Sequence, residues 1–110
     1  MKEKRREERI LLIKRPKFIS AEITLKRGHG ANATYNIPVY DSCRHGIGLF
    51  INEKNKDFLN IIEVGDKIDQ IVFYAENALL KTTGIIRHKT EIKEGRYKGC
   101  FIVGIETSDL

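Results

Sequence analysis

The feature that most constrains this chain is a rhythm of short β-branched runs cut by turn signals. Residues 18–25 (FISAEITL) alternate loosely and are rich in isoleucine and threonine, which suit a pleated, half-buried surface. Residues 28–32 (GHGAN) form a turn by composition, and residues 34–40 (TYNIPVY) a second strand. Pro38 lacks an N–H to donate, which places that strand at an edge or at a bulge. Residues 46–52 make a third strand. Residues 57–63 carry apolar side chains at 58, 59, 61 and 62, compatible with one helical turn or an irregular crossing. A turn at 64–67 leads into a strand over 68–74, and Glu76-Asn77 reverses the chain. Residues 78–89 and 97–107 read as two long strands joined by the polar segment 90–96. Six strands with little helix in 110 residues predict an all-β domain, a small antiparallel barrel or sandwich. Neither an internal repeat nor a low-complexity segment interrupts the pattern.

Charge divides the chain in two. Residues 1–17 hold eight Lys/Arg and three Glu, a local balance of +5, while residues 18–110 hold twelve of each sign. The whole formal excess therefore lies in the opening segment. A nucleic-acid-binding surface spreads Lys and Arg over one face of a fold; here a neutral body carries a basic arm. The expected division is a ligand-binding arm over 1–17 and a barrel over 18–110. A solvated tail and an arm that closes over an anion both fit this charge placement alone.

No apolar run approaches the eighteen residues of a membrane span, and Ile10-Leu11-Leu12-Ile13 is too short for a signal-peptide core. Cys43 and Cys100 lie far apart without CxxC spacing, so neither a zinc site nor a disulfide framework is expected, and a reducing cytoplasm fits. His29, His45 and His88 show no ligand spacing, which argues against a metal centre. Cys43 and His45, two apart before a glycine, have no obvious orienting acid, so nucleophilic catalysis is not expected.

Two short runs carry the remaining chemistry. Arg5-Arg6-Glu7-Glu8-Arg9 sets two arginines at Arg-x-x-x-Arg. Asp41-Ser42-Cys43-Arg44-His45-Gly46-Ile47-Gly48-Leu49-Phe50 sets an acidic residue, small polar groups and two glycines ahead of an apolar run. Either run alone says little. Together, in this order and in a chain this short, they resemble the two-part nucleotide site of the PilZ domain family, whose ligand is cyclic di-GMP. The resemblance extends over nearly the whole chain. It implies a six-stranded antiparallel β-barrel, preceded by a flexible arm carrying Arg-x-x-x-Arg, with Asp/Asn-x-Ser-x-x-Gly entering an early strand. Asp41 and Gly46 match that motif, while Cys43 stands where the family usually has Ser. The segments Val64-Gly65-Asp66, Gly84-Ile85-Ile86-Arg87 and Ile102-Val103-Gly104-Ile105-Glu106 are also similar to PilZ sequence.

The ligand's chemistry suits these residue types. Guanine offers O6 and N7 on one edge, which a guanidinium fork binds bidentately. Arg5 and Arg9 are one helical turn apart and can face one side. Arg6 shares the arm off that spacing and is equally well read as a solvated charge or a partner of Glu7 or Glu8. Asp41 can accept from guanine N1–H and N2–H₂, or cap its own backbone in an Asx-turn; the roles can coexist. A thiol at Cys43 is a weaker hydrogen-bonding group than the usual hydroxyl, or is simply a small buried residue opening the strand. Gly46 suits a backbone angle or a close approach that a Cβ would forbid; Gly48 serves the same end or marks a bulge. Ser42, Arg44 and His45 are further candidate contacts, with solvated turn residues as the alternative.

The resemblance thus implies a non-enzymatic receptor that needs no cofactor or metal and whose arm orders on ligand binding. Its output partner would be a flagellar, pilus, polysaccharide-export or regulatory protein. Two rivals stand beside it. One is a degenerate PilZ domain acting only through protein contacts, a reading kept alive by Cys43. The other is a barrel binding single-stranded nucleic acid, which wants exposed aromatic platforms and a spread basic groove; Phe18, Tyr35, Phe50, Phe58, Phe73, Tyr74 and Phe101 mostly fall in apolar runs, where core is the default.

Overall fold

The computed structural model describes residues 17–26, 32–42 and 46–107. These form a closed six-stranded antiparallel β-barrel with strand order β1-β2-β3-β6-β5-β4. The strands are β1 (Phe18–Lys26), β2 (Asn32–Ser42), β3 (Gly46–Ile51), β4 (Lys67–Ala75), β5 (Leu79–Glu91) and β6 (Phe101–Glu106). A short helix, α1 (Asp57–Ile61), follows a single 3₁₀ turn at Glu53–Asn55 between β3 and β4. Among the described residues no helix is long and apolar enough to cross a membrane.

Inward positions alternate along each strand, as period-two geometry requires. Ala21 and Ile23, Ile47, Leu49 and Ile51, Ile71 and Phe73, and Val103 and Ile105 fill the barrel. The alternation in β1 is loose for a physical reason. Phe18 and Ala21 are both buried although three residues apart, and the β1–β4 register shifts between Phe18 and Ser20. The same device sets Ile68 and Ile71 on one face, across the shift between them in β4–β5. An extra residue in one strand changes the parity of everything beyond it.

Pro38 follows this logic. The closed barrel gives β2 a partner on each side, so it is not an edge strand. The bulge alternative holds instead: the β2–β3 register shifts between Val39 and Asp41, immediately after the proline.

Helix α1 closes one end of the barrel. The segment 57–63 takes the helical of its two expected forms because Phe58 and Ile62, both essentially inaccessible, drop into the core. The Tyr35 ring packs 5.2 Å from that of Phe58. Lys89 secures the plug: its Nζ donates to the carbonyls of Leu59, at 2.9 Å, and Ile62. A cation thus satisfies carbonyls that a helix C-terminus leaves open, where the helix dipole also favours it.

The last strand is shorter than its sequence suggests. It starts at Phe101 rather than near Tyr97, and β5 runs on to Glu91. Gly95 and Gly99 have φ of +86° and +92°, a left-handed conformation that interrupts strand geometry. Gly99 N–H donates to the Ile92 carbonyl at 2.9 Å and Ile92 N–H to that of Cys100 at 2.8 Å, so residues 93–99 form the hairpin loop.

Candidate ligand-binding site

One row of residues crosses the outer face of four neighbouring strands. Asp41 of β2 is in register with Gly48 of β3, Gly48 with Gly104 of β6, and Gly104 with His88 of β5. Two adjacent glycines leave space above the backbone, and a polar side chain from each flank leans into it. An ideal Cβ on Gly48 would stand 2.3 Å from Asp41 Oδ1, and one on Gly104 would stand 2.2 Å from His88 Nε2. Real Cβ atoms do not tolerate such contacts, so the absence of side chains at 48 and 104 is what lets these groups lie where they do.

This row belongs to a cleft of about 460 Å³ lined also by Gly46, Arg87, Thr90, Ile102 and Glu106, a size in the range of small-molecule sites. Arg87 forms an ion pair and hydrogen bond with Glu106. His88 Nδ1 is 2.9 Å from Thr90 Oγ1. The register of β5 against β6 shifts between Ile86 and His88, and this irregularity sets Arg87 and His88 both beside the cleft. The lining therefore carries two carboxylates, Asp41 and Glu106, against one guanidinium. It offers hydrogen-bonding groups but no net positive charge; an anionic ligand would need cations from elsewhere in the chain.

Of the residues singled out from sequence, Asp41, Gly46 and Gly48 line this cleft together. Ser42, exposed at the end of β2, is in register with Ile47 and is not among the lining residues. Arg5, Arg6, Arg9, Cys43, Arg44 and His45 lie outside the described residues. Gly46 makes a close approach rather than adopting a special angle: an added Cβ would stand 2.7 Å from the Ile105 carbonyl oxygen, and its φ is not positive. Gly48 faces Asp41 across the β2 bulge.

The C-terminal half of the site was missed from sequence. Arg87, His88, Thr90, Ile102, Gly104 and Glu106 come from β5 and β6, far along the chain from Asp41. In the sequence His88 shows only an absence of metal-ligand spacing, which says nothing of a place beside Gly104. The available signal was the glycine inside Ile102-Val103-Gly104-Ile105, an outward position in a strand with no side chain to cover it.

Phe50 also departs from expectation. It is half-buried on the outer face, between buried Leu49 and Ile51. Its ring stacks on that of Tyr40 at 6.2 Å and meets that of Tyr97 edge-on at 5.0 Å. Position 50 is even in a strand whose odd positions point inward, so parity overrides the apolar character of the run.

Comparison of the chain with protein-family models, curated proteins and solved structures found no match.

Proposed function

We propose that this protein is a PilZ-type receptor for cyclic di-GMP. The observation that carries the reading is the convergence of Asp41, Gly46 and Gly48 on one cleft, on the outside of a closed six-stranded barrel. Asp41 and Gly46 are the motif positions on which the resemblance rests, and Gly48 follows two residues on. Asp41, in the lining of the cleft, supplies an acceptor for guanine N1–H and N2–H₂.

Charge supports a two-part site. The lining carries Asp41 and Glu106 against Arg87, so its described residues do not neutralise two phosphates. Residues 1–17 hold the excess of +5. Arg5 and Arg9 would bring the missing charge and bidentate contacts when the arm closes over the ligand. Fixing the arm would then present a new surface to an output protein, with ordering entropy offset by ligand contacts.

The aromatic group Tyr40, Phe50 and Tyr97 favours the nucleic-acid rival more than the sequence did, since bases stack on such rings. The charge of the neighbouring cleft opposes it, because a strand of phosphates needs a continuous basic track.

Calorimetric titration of the full chain with cyclic di-GMP, GMP and a single-stranded oligonucleotide tests the reading. Saturable binding of cyclic di-GMP alone, weakened by Asp41→Ala, is the expected result. Absence of cyclic di-GMP binding would leave the barrel as a protein-contact module, and preference for the oligonucleotide would transfer the site to nucleic acid.

A further inference from the structure

We propose that the β5–β6 hairpin loop, residues 93–99, is a second ligand-binding element: its Tyr97 forms with Tyr40 and Phe50 a platform on which a guanine of cyclic di-GMP stacks, and Arg96 and Lys98 beside it meet a phosphate. The inference rests on the cyclic di-GMP reading and adds to it an element far along the chain from the motif. The platform borders the cleft. Phe50 follows Gly48 by two residues of β3, about 7 Å along the strand, and is in register with Ile102, which lines the cleft. The β2–β3 shift between Val39 and Asp41 leaves Tyr40 and Asp41 both exposed, next to each other in the chain. The Asp41 carboxylate lies at Gly48 and the Tyr40 ring at Phe50. The acceptor for a guanine edge and the rings for a guanine face are therefore neighbours.

Three aromatic side chains meet here on the outer face of the barrel. The Tyr40 and Phe50 rings are stacked, 15° from parallel, and the Tyr97 ring meets that of Phe50 edge-on. Tyr40 and Tyr97 keep 50% and 45% of their surface accessible, so the group packs on itself and still presents ring surface to solvent. The loop holds Tyr97 through its own backbone. Lys98 N–H donates to the Gly95 carbonyl at 3.2 Å, Cys100 N–H to that of Tyr97 at 3.0 Å and Gly99 N–H to that of Ile92 at 2.9 Å. Rings accept the face of any base; charge selects an anionic ligand. Residues 93–99 hold three Lys/Arg against one Glu. Lys93 pairs with Glu91, while Arg96 and Lys98 are exposed and have no ion-pair partner among the described residues. The cleft itself is lined by Asp41 and Glu106 against Arg87. The loop thus brings cations to the side of the site where the rings are, and a ring flanked by two cations suits a base joined to a phosphate.

The test measures cyclic di-GMP binding by calorimetry on the full chain and its variants. Tyr40→Leu and Tyr97→Leu keep apolar bulk but remove the ring, and each should weaken binding at least about fivefold, the lower end of what one base–aromatic stack contributes. Tyr40→Phe and Tyr97→Phe keep the ring and should bind like the parent. Equal affinity of the Leu and Phe variants overturns the platform. Arg96→Ala combined with Lys98→Ala should weaken binding about three- to tenfold and leave it less sensitive to salt; parent-like affinity and salt dependence overturn the phosphate contact. Urea denaturation checks that the barrel is intact in each variant, and the Arg96 and Lys98 changes, on exposed side chains, decide the loop's part even where a Leu variant is destabilised. If Asp41→Ala loses binding while the Leu and the Arg96/Lys98 variants do not, the receptor reading stands and this inference falls. If the parent does not bind cyclic di-GMP, both fall.

Discussion

Asp41 and Gly48 occupy the same space by turns: the carboxylate oxygen sits 2.3 Å from where a Cβ on Gly48 would be. The glycine of β3 is thus the seat for the acid of β2, and the pair forms one device.

Gly48→Ala should displace the Asp41 carboxylate, which can swing away at the end of its side chain. Affinity for cyclic di-GMP is expected to fall at least about fivefold, with stability changed by less than about 1 kcal/mol. Gly46→Ala should behave differently, since its Cβ would meet the Ile105 carbonyl oxygen at 2.7 Å, a backbone atom that cannot rotate aside. A loss of about 1–3 kcal/mol is expected there. Urea midpoints and calorimetric titration of the two variants separate the roles; identical stability would contradict the packing argument.

Lys89→Met keeps the half-buried stem but removes the ammonium that holds the carbonyls of Leu59 and Ile62. The expected cost is about 1–3 kcal/mol, from carbonyls left without a donor. The urea midpoint measures it, and an unchanged midpoint would mean that Phe58 and Ile62 hold the plug unaided.

Glu106→Gln should release Arg87 toward the cleft and remove one of the two carboxylates of the lining. Exposed ion pairs contribute roughly 0–1 kcal/mol, so stability should barely move. Affinity for cyclic di-GMP should rise about threefold and become more sensitive to salt. Weaker binding would show that Glu106 contacts the ligand itself.

The two-part site predicts that Arg5→Ala and Arg9→Ala each lower affinity about tenfold, since one bidentate contact exceeds 1.4 kcal/mol. Arg15→Ala, outside the spacing, should have little effect. Equal losses from all three would reduce the arm's part to bulk charge. Amide exchange should show ligand-dependent protection at 5–9 and 41–48 together; protection of only β5 and β6 would move the ligand away from the arm.

Much of the barrel is legible in the chain because strand formation here is local chemistry. The β-branched runs, the turn at Gly65-Asp66 and the reversal at Glu76-Asn77 mark elements without reference to distant residues. Failures occur where packing and pairing, rather than a residue's own propensity, decide. Phe50 points outward because Leu49 and Ile51 claim the interior. Residues 97–100 leave the strand because Gly99 bonds back to Ile92. Pro38 lies beside a bulge rather than at an edge because closure of the sheet leaves no edge strand.

The site divides in the same way. Asp41, Gly46 and Gly48 are close in sequence, and their spacing alone sets them around one turn. Gly104 and His88 join them only because β6 lies between β3 and β5. Strand order is set by which faces bury together and by where the sheet closes, and no local stretch carries that information. The sequence by itself determined the strands, the neutral body with its basic arm, and the acidic-glycine turn. Tertiary structure decided that two glycines distant in the chain lie side by side, with a carboxylate at one flank and an imidazole at the other.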